Sequence, residues 1–171
     1  MKTMASNIIL IGFMGVGKGT VARELAQKSK MFAIDTDDLI ESLENKKIKD
    51  IFAESGEKYF RDLEKKTAKW LQKSVKNSII STGGGFYKVA NIKKIGKIVY
   101  LESSFENIIK RLKEHPESEK KFAKRPLLQD IDKAKTIFEA RSAEYKRCSH
   151  ISINVENRTP EEIAKDILKM I

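Results

Sequence analysis

A chain of 171 residues with 40% hydrophobic and 34% charged content is long enough for one domain with a proper core and has the make-up of an ordinary water-soluble fold. Its single cysteine, Cys148, excludes an intramolecular disulfide framework and fits a reducing cytoplasm, while no apolar run approaches the roughly 20 residues of a membrane span. The formal net charge of +10 comes mostly from lysines scattered among glutamates, as in EKKTAKWLQK and EEIAKDILK, which describes a solvated surface able to steer small anions rather than a nucleic-acid or membrane patch.

The first predicted element is a short strand, Ile8 to Ile11, too short and too soon broken by glycine to be a signal peptide. It runs into Gly12-x-x-x-x-Gly17-Lys18, with further glycines at Gly15 and Gly19, and a helical pattern (VARELAQK) follows. Strand, glycine-rich loop with an embedded Lys, then helix is the arrangement that cradles nucleotide phosphates on backbone N–H groups and a helix N-terminus. A tight turn explains one or two glycines, but not four with a Lys at the required offset. The phosphate-loop pattern ends in Ser or Thr, whereas here Gly19 is followed by Thr20.

Met31 to Asp35 reads as a short buried second strand, followed by a helix over Thr36 to Glu44 with acidic residues in its first turn. In Asp35-Thr36-Asp37-Asp38, carboxylates could face Mg²⁺, accept a proton from a substrate hydroxyl or cap the helix, and Asp38 fits the first-turn role. Ile48 to Ser55 is helical and closed by Gly56, and Glu57 to Gln72 is a second helical stretch with Phe60, Leu63, Ala68 and Leu71 on its apolar face. Arg61 and Glu64 share a face three residues apart, which suits either a surface pair or an Arg held ready for an anionic substrate. Trp70 and, further on, Phe138 are expected in the core.

Ser78 to Thr82 is the third strand, stopped by Gly83-Gly84-Gly85. Three consecutive glycines are expensive to order, at roughly 0.5–1 kcal/mol each, so a ligand approaching the backbone is the better explanation. Ile98 to Leu101 is the fourth strand, with a helix from about Ser104 to Lys113 and a mobile, Lys-rich segment from His115 to Lys124. A helix over Ile131 to Tyr145, a fifth strand at Ile151 to Asn154 and a last helix from Thr159 to Met170 complete the chain. Against a background of Lys, the planar forks of Arg111, Arg125, Arg141 and Arg158 suggest phosphate or carboxylate contacts. For Arg141 the alternative is a surface pair with Glu144. His115 and His150 have no ligand-like spacing.

Strands alternating with helices imply an α/β fold: a parallel sheet covered on both faces, with ligands beyond the C-terminal ends of its strands. The glycine loop, the acidic run and the triple glycine then fall on one rim.

With these motifs assembled, the chain resembles the shikimate kinases from Ile8 to the last helix. The resemblance rests on GFMGVGKGT, DTDD, IFAESGEKYFRDLE, STGGG, IVYLE, RPLL, the helix with Arg141 and Tyr145, and NRTP. It implies a three-layer αβα P-loop kinase with a five-stranded sheet in the order 2-3-1-4-5, one domain over residues 1–171, a lid at about 113–125 and a substrate-binding helical region at about 36–64. It implies transfer of the ATP γ-phosphate to the 3-hydroxyl of shikimate by a cytoplasmic monomer without nucleic-acid or membrane partners. ATP would contact Gly15, Val16, Gly17, Lys18, Gly19, Thr20, Arg111, Arg125 and Arg158. Shikimate would be held by Asp37, Arg61, Gly83, Gly84, Gly85 and Arg141. Lys18, Asp37 and Arg125 would be catalytic, and Mg²⁺ would be met by Asp35 through water, with help from Thr20. The Gly19-Thr20 form is shared with adenylate kinases, so an adenylate- or gluconate-kinase-like enzyme is one rival. A non-catalytic basic nucleotide-binding module is the other.

Overall fold

The computed structural model describes residues 6–171; the first five residues of the expected domain 1–171 lie outside the described residues. Five parallel strands, β1 (Asn7–Ile11), β2 (Phe32–Asp35), β3 (Ser78–Ser81), β4 (Gly96–Glu102) and β5 (Ile151–Asn154), form one sheet in the order 2-3-1-4-5, as expected. β1 lies at the centre, entirely buried, with Ile9 opposite Ile80 of β3 on one side and Ile98 of β4 on the other. Parallel strands need crossovers, and helices on both faces provide them. These are α1 (Lys18–Ser29), α2 (Thr36–Glu44), α3 (Ile48–Ser74), α4 (Ile92–Ile95), α5 (Phe105–Glu114), α6 (Ser118–Ala123), α7 (Ile131–Cys148) and α8 (Pro160–Met170). No helix among the described residues is long and apolar enough to cross a membrane.

Local chemistry sets most boundaries. Ser104 caps α5, Asp130 caps α7, and Thr159 with Glu162 forms a capping box ahead of Pro160, the first residue of α8. Gly56 adopts φ 79° and ψ 173°, so it interrupts α3 without ending it: the chain resumes as helix on the far side of the kink. The predicted lid segment contains α6, a short helix the sequence pattern did not suggest.

Two expected core positions are corrected. β2 is an edge strand, and Phe32 is 85% exposed rather than buried. Trp70 is 47% exposed. At about 100° per residue, the buried side chains Phe60, Leu63, Thr67, Ala68 and Leu71 define one arc of α3, and Trp70 falls just past its edge. Phe138 does pack on the core, edge-on to Phe13 with ring centres 5.2 Å apart.

At the foot of the sheet, Asn7 is 1% exposed and its amide ties three segments together. Nδ2 donates to Val75 O (2.9 Å) and Ile95 O (3.0 Å), and Oδ1 accepts from Ser78 N (3.0 Å). Removing that amide strands all three backbone groups away from water. Asn7→Ala should therefore lower unfolding free energy by about 2–3 kcal/mol in urea titration; an unchanged midpoint would show that the ties contribute nothing.

Candidate active site

The opposite rim collects the loops that follow β1, β2 and β3. After β1, Gly12, Gly15 and Gly17 all have left-handed φ, which lets the loop turn its backbone inward ahead of α1. Lys18 is buried within it. Its Nζ donates to Gly12 O (2.7 Å) and Phe13 O (3.0 Å), and burial lowers its pKa to about 8 despite the opposing pull of Asp37 and Asp35. Arg125 and Arg141 lie close enough to push in the same direction as burial.

Beyond the loop lies a cavity of about 500 Å³ lined by Gly15, Gly17, Thr20, Arg111, Arg158 and Pro160, among others. Arg111 donates to Val16 O at 2.8 Å and lies flat against Gly17, where any Cβ would come within 2.5 Å of its guanidinium. Arg158 is tied to Asp166 at the cavity edge. Gly19 differs from its neighbours: a Cβ there would meet only Arg23 Nη1 at 3.6 Å, an ordinary contact.

After β2, Asp35 caps α2, with Oδ1 accepting from Asp37 N (2.8 Å) and Asp38 N (3.2 Å). Of the alternatives open in the sequence, capping is thus one that Asp35 fulfils. Asp37 instead turns into the rim, where its Oδ1 is buried without a hydrogen-bond partner among the described residues. Burial, then repulsion from Asp35 and Glu64, raises its pKa to about 7.

The triple glycine after β3 explains its own composition. A Cβ on Gly83 would approach Asp37 Oδ1 to 2.6 Å, one on Gly84 would lie 3.2 Å from Arg141 Nη1, and one on Gly85 would collide with Arg61 Nη1. Each glycine therefore makes room for one of three charged side chains, delivered by α2, α7 and α3. Arg61 is braced by Glu64, which is 2% exposed and accepts from Nη1 at 2.7 Å, and by Glu57. Its ion pair is thus half buried rather than a surface decoration. Arg141 forms no ion pair with Glu144, and that carboxylate accepts from the Tyr87 hydroxyl. None of the ion pairs found among the described residues involves Lys18, Arg111, Arg125 or Arg141.

All the predicted site residues thus gather on one rim in two adjoining groups, with Lys18 at their junction. The sequence marks Tyr145 only through the family resemblance, yet its hydroxyl donates to Gly84 O at 2.5 Å. Its spacing of four from Arg141 on one helix face was the available signal.

The fold and rim define a P-loop phosphotransferase for a small anionic acceptor. The comparisons name the family. The profile described as shikimate kinase matches residues 14–171. Shikimate kinases of Helicobacter hepaticus and a Sulfurihydrogenibium species are 40% and 42% identical, the first covering 95% of this chain and 94% of its relative, the second 96% and 97%. The solved shikimate kinase from Acinetobacter baumannii in complex with shikimate superposes with TM-score 0.86 at 30% identity, over 97% of this chain and 92% of that one. The chain belongs to the shikimate kinase family, kinases that phosphorylate shikimate with ATP.

The glycine geometry separates positions that look alike in sequence. Gly83→Ala should fold but lose most shikimate turnover by displacing Asp37. Gly19→Ala, in the first turn of α1 with room for the methyl, should hold or raise the melting temperature. A lower melting temperature for Gly19→Ala than for Gly83→Ala would reverse that distinction.

Proposed function

We propose that this chain transfers the γ-phosphoryl group of ATP to the 3-hydroxyl of shikimate, using the rim residues in the roles that follow. The observation that carries this is the grouping about Lys18 of Arg125, Arg141 and Asp37: three cations with no ion pair among the described residues beside a carboxylate whose buried Oδ1 has no partner there. Buried charge without a partner is costly in a resting fold and becomes useful once anionic substrates arrive.

The loop Gly15, Val16, Gly17, Gly19 and Thr20 receives the phosphates, and Arg111 and Arg158 flank the base in the cavity. Arg61 and Arg141 grip the shikimate carboxylate, with the Gly83, Gly84 and Gly85 backbone beneath the ring. Asp37 accepts the proton of the 3-hydroxyl as its oxygen bonds to phosphorus and the bond to the bridging oxygen breaks, releasing ADP. Lys18 has two of its three N–H donors on loop carbonyls and turns the third to the transferring phosphoryl, with Arg125 opposite. The segment at about 113–125 closes over the nucleotide and excludes water.

Among the described residues no three acidic, His or Cys side chains cluster as a metal cage. The donor set suits Mg²⁺ carried in by the nucleotide, with Asp35 reached through water and Thr20 Oγ1 nearby, since this ion keeps several waters and phosphate oxygens. Bound there, it would neutralise phosphate charge. We read the chain as a single-domain cytoplasmic monomer acting on small molecules, a setting its lone, half-buried Cys148 suits.

ADP release measured with shikimate, AMP and gluconate in parallel tests the assignment: shikimate alone should support turnover, and preference for either other acceptor would overturn it. Arg141→Ala should raise the shikimate KM roughly 10- to 150-fold, the loss expected of a charge-assisted contact, with little effect on the ATP KM.

The titrating pair sets a pH window. Asp37 becomes a competent base above about 7 and Lys18 loses its charge above about 8, so kcat/KM should rise through the first value and fall beyond the second. Because the folded-state pKa of Asp37 is raised, the stability linked to its protonated form is present at low pH and lost as pH climbs through 7. Asp37→Asn should therefore raise the melting temperature at about pH 8, with the gain shrinking in acid, while abolishing turnover. A gain that grows in acid would contradict the sign.

A further inference from the structure

Tyr145 lies one helical turn beyond Arg141 on α7 and is 1% exposed. Its ring is fixed on two sides, edge-on to Tyr87 with centres 4.7 Å apart and stacked on Tyr100 at 5.3 Å. Tyr87 is in turn anchored by its hydroxyl to Glu144. A phenol so confined has one direction in which to point, and its hydroxyl donates to the carbonyl of Gly84 at 2.5 Å. At that residue the Cβ position lies 3.2 Å from Arg141 Nη1 and 3.7 Å from the Tyr145 oxygen, so glycine backbone, guanidinium and phenol meet at one point. Burial pushes the phenol pKa up to about 12, and the neighbouring Arg141 opposes that rise. The hydroxyl therefore keeps its proton, and stays a donor, across the working pH range.

We propose that Tyr145 is a positioning residue for the acceptor site: its hydroxyl locks the Gly84 carbonyl to α7 and so sets the distance between the triple-glycine backbone and the Arg141 guanidinium. The inference rests on the shikimate-binding role proposed for Arg141. The lock acts on a single peptide unit. If Gly84 is free to rotate its carbonyl away, the loop floor drops or tilts while Arg141 stays on its helix, and a rigid ring bearing a carboxylate can no longer touch both. A glycine triplet makes such slippage easy, since no side chain restrains its φ and ψ. The tyrosine hydroxyl supplies the restraint that the glycines lack. Tyr145 does not line the nucleotide cavity, and the one group its hydroxyl holds is the Gly84 carbonyl, so its effect is expected at the acceptor.

The test compares Tyr145→Phe with Tyr87→Phe and Arg141→Ala. Tyr145→Phe keeps the ring stack and removes only the donor. It should raise the shikimate KM roughly 5- to 10-fold, the effect of leaving one buried acceptor unpaired, with the ATP KM and kcat little changed. With the methyl ester of shikimate, whose carboxylate charge is gone, Tyr145→Phe and the unsubstituted enzyme should have the same KM. Tyr87→Phe removes from the same aromatic stack a hydroxyl that bonds Glu144 rather than a glycine carbonyl. It should lower the melting temperature and leave both KM values alone. An unchanged shikimate KM in Tyr145→Phe, alongside the expected rise in Arg141→Ala, overturns the positioning role only. Equal rises in both KM values, or the same KM change from Tyr87→Phe, also overturn it by showing a general structural effect. A normal shikimate KM in Arg141→Ala overturns the reading of the acceptor site on which the inference stands.

Discussion

The rest of this structure depends on one close approach: the backbone of Gly83, Gly84 and Gly85 must pass beneath three charged side chains at once. Asp37 and Arg61 come from α2 and α3, consecutive helices between β2 and β3, and Arg141 from α7, far along the chain between β4 and β5; the parallel sheet brings them to one rim. A methyl group at any of the three would displace one of them, by collision at Gly83 and Gly85 and by crowding at Gly84. The sheet order, the absence of side chains at these positions and the acceptor site are therefore one constraint expressed at three levels. The phosphate loop obeys the same logic at Gly17, over which Arg111 lies.

Charge arrangement follows from that crowding. Burial pushes all three toward their neutral forms: Asp37 and Glu64 toward keeping a proton, Lys18 toward losing one. Each shift marks a group that the folded chain holds in its charged form at some expense of stability. Arg61 is the exception, supported by two glutamates, and this bracing fixes where its guanidinium points. Catalytic rims commonly carry such strain, since groups arranged for an absent transition state are imperfectly satisfied without it.

Much of this was legible in the sequence, and the limits have physical causes. The bounds of α2 and β5 follow from an acidic first turn and a short alternating run, and the central strands from their unbroken apolar character. Patterns of that kind report burial, not position within a sheet. Hence β2 reads as an interior strand although Phe32 faces solvent at the edge, and Trp70 reads as core although it sits past the buried arc of α3. Short elements such as α4 and the turn at Phe86–Lys88 carry too few residues for periodicity. In the site, glycines and arginines announce themselves by type and spacing. The contact of Tyr145 with a glycine carbonyl does not, because a tyrosine on a helix face looks like any other core aromatic. Likewise Gly19 looks like its neighbours until its open surroundings show that no packing demand keeps it glycine.

The amide of Asn7 lies at the end of the sheet farthest from this chemistry, yet it bears on how faithfully the rim is assembled. Apolar parallel strands slide past one another with little penalty, since one isoleucine replaces the next in the same greasy slot. A primary amide that satisfies Val75, Ile95 and Ser78 together fits only one alignment of β1 against β3 and β4. Any slipped pairing leaves polar atoms buried and idle. Asn7 thus works as a checksum for the central strands: the loops that leave their far ends emerge at matching heights only when it is satisfied.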